Sequence, residues 1–202
     1  NNVLVNNFAQ NNLGDGFYLE ESSSNILMNN ISPNNLAGFR LQWSSSNNIL
    51  ENNWAQNNSS FGFNLDYYSE NNVLENNFAE RNDDSGFYLD YYSENNILEN
   101  NFAVKNNGYG FHLDTSKNVL VSNLAWKDND HGYYLEYSSD NNVLENNLVE
   151  NNDSDGFYLD HYSDNNVLLN NVSENNGSDG FNLFYSDNNV LLNNVSENNG
   201  SD

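Results

Sequence analysis

Residues 71–96 read NNVLENNFAERNDDSGFYLDYYSENN, and the string begins again at once with Ile97-Leu98-Glu99-Asn100-Asn101. In this unit a β-branched residue precedes Leu74, the doublet Asn76-Asn77 follows, and the large apolar Phe78 comes next. Further on, Gly86-Phe87-Tyr88-Leu89-Asp90 alternates apolar and polar residues with period two, the pattern of a strand with one buried face. Phe87 and Leu89 are expected to point one way, Tyr88 and Asp90 the other. No segment keeps a helical apolar period, and Asn, Gly and Ser interrupt every unit.

Outward from that unit the same pattern covers the whole chain. The β-branched position recurs at Val3, Ile26, Ile49, Val73, Ile97, Val119, Val143, Val167 and Val190, with spacings of 22 to 24 residues. The glycine that opens the alternating segment recurs at Gly16, Gly38, Gly62, Gly86, Gly110, Gly132, Gly156 and Gly180. The interval from β-branched residue to glycine is 13 in seven of eight units and 12 in the other, so length variation falls mainly after the glycine strand.

A period of this size suits a leucine-rich repeat or a parallel β-helix. The first needs L-x-x-L-x-L spacing, but Leu74 is followed by Glu75-Asn76-Asn77-Phe78. The expectation is therefore an all-β chain: a single-stranded right-handed parallel β-helix of about eight coils of 22–24 residues. At ~4.8 Å per rung such an array is roughly 40 Å long, with Leu, Val/Ile and Phe expected in its bore. The array spans residues 1–202 without a linker; residues 163–179 and 186–202 are identical. Beginning and ending inside a unit, it is expected to be a segment of a longer repeat protein or a unit that stacks end to end on copies of itself.

The motif N-N-[VI]-L-x-N-N, then G-[FY]-x-L, with Ser-x-Asn-Asn closing the turn, resembles the parallel β-helix repeats of NosD-like proteins. That superfamily also holds carbohydrate-binding and sugar-hydrolysing β-helices, so the resemblance implies the fold and leaves the chemistry open. The copper implied by the NosD label does not transfer by sequence. The chain has His112, His131, His161, Met28 and no Cys, with no two of them close together.

Composition excludes several functions. Asn fills 51 of 202 positions, and 5 basic against 29 acidic residues give a net charge of −24. Such a surface repels nucleic-acid phosphates and anionic lipid. Without cysteine there is no disulfide or thiolate site. The chain opens on Asn1 with no basic-then-apolar leader, so any export signal is expected to have been removed or to lie outside this sequence.

Several columns carry candidate chemistry. Asn7, Asn30, Asn53, Asn77, Asn101, Asn123, Asn147, Asn171 and Asn194 share one register and are expected to form a hydrogen-bonded ladder. Glycosylation is expected instead at the loop sequons of Asn58, Asn152 and Asn176. Carboxylates recur four residues after the glycine, as Glu20, Asp66, Asp90, Asp114, Glu136 and Asp160. Like charges one rung apart repel, which asks for high ionic strength or bound cations; calcium is the candidate cofactor, near Asp128, Asp130, Asp153 and Asp155. Tyr88, Asp90, Tyr134, Glu136, Tyr158 and Asp160 form a candidate carbohydrate-binding face, with stacking that merely stiffens the sheet as the plainer alternative.

Catalysis needs residues that break the repeat. Arg40, Arg81, Lys105, Lys117, Lys127 and the three histidines do so, but in different registers. Adjacent carboxylates such as Asp66 and Asp90 would stand near the ~5 Å of a retaining glycosidase pair, yet the other rungs repeat that arrangement. β-Helix pectate lyases and uronate epimerases act on polyanions and generally use Arg or Lys, which a −24 chain suits poorly. The expectation is a non-enzymatic structural protein of the cell surface or extracellular space, in a sheath, filament or adhesin stalk. The alternative is a carbohydrate-binding β-helix, and after it a polysaccharide hydrolase or lyase.

Overall fold

In the computed structural model, which describes residues 1–201, each unit makes one right-handed coil of three short strands. The unit quoted first supplies Val73–Glu75, Phe78–Glu80 and Phe87–Leu89. Each pairs in parallel and in register with its equivalents one coil away: Val73 with Ile49 and Ile97, Ala79 with Ala55 and Ala103, Phe87 with Phe63 and Phe111. Among the described residues this gives three parallel sheets, of nine, eight and eight strands. Sequential strands belong to different sheets, so every sheet is built from residues about one repeat apart.

The asparagine doublets make the corners. The first Asn takes a left-handed backbone, φ 54° at Asn76 and 55° at Asn100, a region Asn tolerates better than most residues. The second turns its amide inward. Asn77 donates from its backbone N and its Nδ2 to Oδ1 of Asn101, at 2.9 and 3.1 Å, and from Nδ2 to the Leu50 carbonyl at 2.8 Å. Its own Oδ1 accepts the same pair from Asn53. The side chain thus satisfies backbone groups that a tight buried turn would otherwise orphan.

The expected ladder is present, and two more accompany it. One holds Asn25, Asn48, Asn72, Asn96, Asn118, Asn142 and Asn166, bonded rung to rung. The other runs Asn12, Asn35, Asn58, Asn82, Asn106, Asp128, Asn152, Asn176 and Asn199. This corrects the glycosylation assignment. Asn58, Asn152 and Asn176 are 1–3 % exposed, with both amide atoms engaged, so none presents an acceptor nitrogen. Arg81, Lys105, Lys117 and Lys127 are explained by the same corners: each occupies the left-handed position that Asn fills elsewhere.

The interior is narrower in composition than expected. Leu27, Leu50, Leu74, Leu98, Leu120, Leu144 and Leu168 line the first sheet, each fully buried. Because side chains alternate, the preceding Val or Ile faces outward, and so do Trp54, Phe78 and Phe102. The second sheet turns Ala55, Ala79, Ala103, Ala125 and Val149 inward. The third contributes a leucine column and a column of rings, Phe17, Phe39, Phe63, Phe87, Phe111, Tyr133, Phe157 and Phe181, stacked at 4.7–4.9 Å. Each fully buried Leu or Phe contributes about 1.5–3 kcal/mol relative to exposure. A Cβ on Gly86 would lie 2.9 Å from both the Ala103 Cβ and the Gly110 carbonyl oxygen, so the backbones approach as closely as glycine permits.

Candidate functional site

The outer face of the third sheet departs from this monotony. Its first strand, Phe17–Glu20, and those that follow turn Tyr18, Arg40, Asn64, Tyr88, His112, Tyr134, Tyr158 and Asn182 outward in one column. Beside it run the carboxylates and, on the other flank, the residue preceding each glycine: Phe61, Tyr109, His131 and Asp155 among them. Side chains from adjoining columns and rungs meet. Tyr88 stacks on Phe61 at 4.7 Å and on His112 at 4.6 Å, and His112 lies 5.1 Å from Tyr134, which lies 5.4 Å from Tyr158. Tyr109 touches His112 and Tyr134 at 4.9 and 4.7 Å; His131 touches Tyr134 and Tyr158 at 5.6 and 4.8 Å. Seven rings form one continuous patch over five coils.

Polar atoms are fixed along this patch. His112 Nε2 lies 2.9 Å from Glu136 Oε2, so the carboxylate holds the proton on Nε2 and leaves Nδ1 as the basic nitrogen. His131 Nδ1 accepts from the backbone N of Asp155 at 3.0 Å, and burial holds its pKa below the usual imidazole value. The neutral ring therefore carries its proton on Nε2. Tyr134 donates to Asp160 at 3.1 Å. At one end Arg40 is held by Asp66 at 3.3 Å and Asp15 at 3.9 Å.

Burial and mutual repulsion raise two carboxyls of this column. Burial, with Asp90 and Glu136 as neighbours, pushes Asp114 up to about 6, and Asp114 shares a hydrogen bond with Asp90. Asp66 is raised for the same reasons, burial first and the Asp90 charge second. Burial pushes the Tyr109 hydroxyl up to about 12, and raises Tyr88 and Tyr134 as well. The face thus offers a carboxyl with a raised pKa, a carboxylate-oriented imidazole and several phenols, groups able to bind hydroxyls and to move protons.

The expected face residues Tyr88, Asp90, Tyr134, Glu136, Tyr158 and Asp160 do lie together here. Tyr134 is covered more than expected, at 8 % exposure, because Tyr109 and His131 lie against it. The histidines fall in different registers as expected, yet His112 and His131 still share the site, because different registers on neighbouring coils touch; His161 lies apart, against Tyr137 and Tyr185. Tyr109, His112 and His131 are the residues that reading one column at a time misses.

The expected calcium group does not assemble. Asp128 is buried inside an asparagine ladder, where Oδ1 accepts from Asn106 and Oδ2 has no partner. Asp155 is committed to Asp179 N and Asn182, Asp130 is half-buried against His131, and Asp153 is exposed. Among the described residues, no group of three His, Cys, Asp or Glu side chains converges as a metal site.

Comparison with known proteins agrees with this architecture. Residues 1–140 match the family described as right handed beta helix region, and residues 92–202 the one described as periplasmic copper-binding protein (NosD). No curated protein matches the chain. Among solved structures, the periplasmic alginate epimerase AlgG, in a mutant form, superposes with a TM-score of 0.79 at 20 % identity, over 89 % of this chain and 47 % of that one. The mannuronan C-5 epimerase AlgE4 A-module of Azotobacter vinelandii gives 0.76 at 16 % identity, over 89 % and 61 %. A glycoside hydrolase gives 0.73 at 10 % identity, over 90 % and 38 %. The chain thus spans about half the length of AlgG.

These neighbours overturn the expectation of a non-enzyme. That expectation took repetition itself as an argument against catalysis, yet the same stack of coils carries epimerases and a glycoside hydrolase. Copper is not supported by the donor set here: His112 and His131 are tied to Glu136 and to the Asp155 backbone, and Met28 sits on the first sheet. Each of the two family matches covers more than half of the sequence, and the chain belongs to the right-handed β-helix family and to the NosD family.

Proposed function

We propose that the outer face of the third sheet binds a polysaccharide, in the cell envelope or outside the cell. The observation that carries this reading is the seven-ring patch from Phe61 to Tyr158, edged by hydroxyls, imidazoles and carboxyls, on a fold whose interior and corners repeat from rung to rung. Most of its rings stack on one another, so they present edges and hydroxyls rather than open faces. Hydrogen bonding to sugar hydroxyls is the mode of recognition that follows. The reading is preferred to a sheath or filament role because a protein serving length alone has no use for one face that differs from rung to rung. Charge supports a neutral glycan: Arg40, the one permanent cation in the column, is already engaged by Asp15 and Asp66, and His112 is paired with Glu136, so neither stands free to receive a uronate carboxylate. The epimerase neighbours act on alginate; the fold is what this chain has in common with them.

A second reading, hydrolysis, is favoured by one observation: Asp114 stands between the Asp90 and Glu136 carboxylates in the half-buried column, and burial with those neighbours pushes it up to about 6, which suits a general acid. Binding is tested by glycan array and by affinity electrophoresis through neutral-polysaccharide gels. Retardation lost in Tyr88→Ala and Tyr158→Ala supports the proposal; wild-type mobility in every gel, with no array signal, rejects it. Release of reducing ends that disappears in Asp114→Asn supports the second reading.

A further inference from the structure

Beside this face, where the third sheet turns back toward the first, most coils carry a two-residue corner rich in aromatics: Tyr67-Tyr68, Tyr91-Tyr92, Tyr137-Ser138 and His161-Tyr162, all with positive φ. Their rings form a ridge along the axis. Trp43 stacks on Tyr67 at 4.3 Å, Tyr67 packs on Tyr91 at 5.2 Å, and Tyr68 stacks on Tyr92 at 5.3 Å; further along, Tyr137 faces His161 at 6.1 Å.

One coil omits the corner. Asp114 and Thr115 follow one another directly, where Asp90 and Ser93 enclose Tyr91-Tyr92. Thr115 N donates to Ser139 Oγ just as Ser69 N donates to Ser93 Oγ, so Thr115 takes the serine register and two residues are missing. The 22-residue spacing of that unit has this cause. The rest of the coil keeps its pairing, and the omission opens a notch instead of shifting the stack.

The notch is a cavity of about 330 Å³, the size of a small-ligand site. Tyr91 and Tyr92 form one wall and Tyr137 the other, with Asp114, Thr115 and Ser116 between them. The walls belong to coils two rungs apart, about 9.6 Å at ~4.8 Å per rung. A flat ring in contact with an aromatic face on each side needs about 7 Å, two contacts of ~3.5 Å. Among the described residues no ring contact joins Tyr91 or Tyr92 to Tyr137, so faces that stack elsewhere along the ridge are uncovered here. The floor is polar: Thr115 Oγ1 is buried without a partner, and the carboxyl groups of Asp114 and Glu94 border the space. Lys117, the nearby cation, is held by Glu94 at 2.7 Å.

We infer that this notch binds a single pyranose ring of an uncharged sugar, gripped between Tyr91-Tyr92 and Tyr137 with its hydroxyls on the acidic floor. The inference deepens the polysaccharide reading and rests on it for the class of ligand, and the notch adjoins the sheet face through Asp114 while its aromatic walls lie outside that face. Aromatic walls suit the apolar faces of a pyranose, the carboxyls accept from its hydroxyls, and the same carboxyls repel a uronate.

The test uses methyl pyranosides (glucoside, galactoside, mannoside and glucuronide) with saturation-transfer NMR on the intact chain. In one variant Tyr-Ser is inserted between Asp114 and Thr115, copying Tyr137-Ser138 and refilling the corner; the other is Tyr137→Ala. At least one neutral pyranoside is expected to give a signal that weakens about tenfold or more in both variants, with none from the glucuronide. A signal unchanged in either folded variant, an equal signal from the glucuronide, or none from any neutral pyranoside overturns the inference. Should the insertion prevent folding, Tyr137→Ala decides, because that side chain is 64 % exposed and lies outside the core. Tyr158→Ala separates the two sites: polymer retardation lost with the monosaccharide signal kept supports both, whereas a parent protein that no gel retards but that keeps the monosaccharide signal means the sheet-face reading failed and the notch did not.

Discussion

The asparagine corners and the outer face of the third sheet lie on the same coils and obey opposite rules. At the corners the side chain completes the backbone. Asn77 bonds at once to Asn53, Asn101 and the Leu50 carbonyl, and the same residue returns on every rung of its ladder. On the third sheet the strands satisfy one another, and the outward side chain is released from structural duty. There the register reads Tyr, Arg, Asn, Tyr, His, Tyr, Tyr, Asn. In a solenoid, uniform positions report the architecture and variable ones are where a site can arise.

The sharpest way to break this contrast is Asn77→Ala, which strands several buried backbone groups at once. A loss of about 3–5 kcal/mol in urea unfolding is expected, and a loss within that of an exposed substitution would end the argument. Asp128→Asn comes next, because Asp128 is the one carboxyl among the amides of its ladder. Burial pushes its pKa up to about 7. A raised acid is harmless to the fold below its unfolded value near 4 and costs stability increasingly as pH climbs to about 7. The Asn variant should therefore match the parent near pH 4 and exceed it by on the order of 2–4 kcal/mol at pH 8. Urea midpoints at the two pH values check this.

Smaller effects sharpen the comparison. Tyr133 interrupts the phenylalanine stack with a buried hydroxyl that has no partner. Tyr133→Phe is expected to stabilise by about 1 kcal/mol, read as a higher melting temperature. On the outer face, Tyr158→Ala should cost about 0.5–1 kcal/mol, the scale of a stacking contact, while glycan retardation is lost. A stability loss as large as that of Asn77→Ala would mean that the face is structural after all.

The sequence reading was reliable where a rule repeats. Period-two alternation correctly turned Phe87 and Leu89 inward, and the fixed interval to each glycine gave the coil. It failed where one residue type plays two parts. Asn58, Asn152 and Asn176 read as loop sequons, although each lies five residues past a ladder asparagine, as Asn82 does past Asn77 and Asn77 past Asn72. That interval of five was the available signal, obscured where Arg81, Lys105 or Lys127 replaces the first Asn of a doublet. Val73 and Ile97 were expected in the bore because they are apolar, although Leu74 and Leu98 had already claimed that side. The His112–His131 cluster was invisible because it forms between columns. The notch beside Thr115 was in plain view as a short unit, but a spacing alone does not say which two residues are absent.

Every ladder bond and strand pair described above joins a coil only to the one before or after it, at separations of 22 to 27 residues. Mechanical tension applied at the two ends would meet no brace running the length of the molecule. The chain would peel from an extremity turn by turn, each 23-residue turn releasing about 8 nm at ~3.4 Å per residue. Such a body yields gradually under load and rewinds on whatever part of it is still wound.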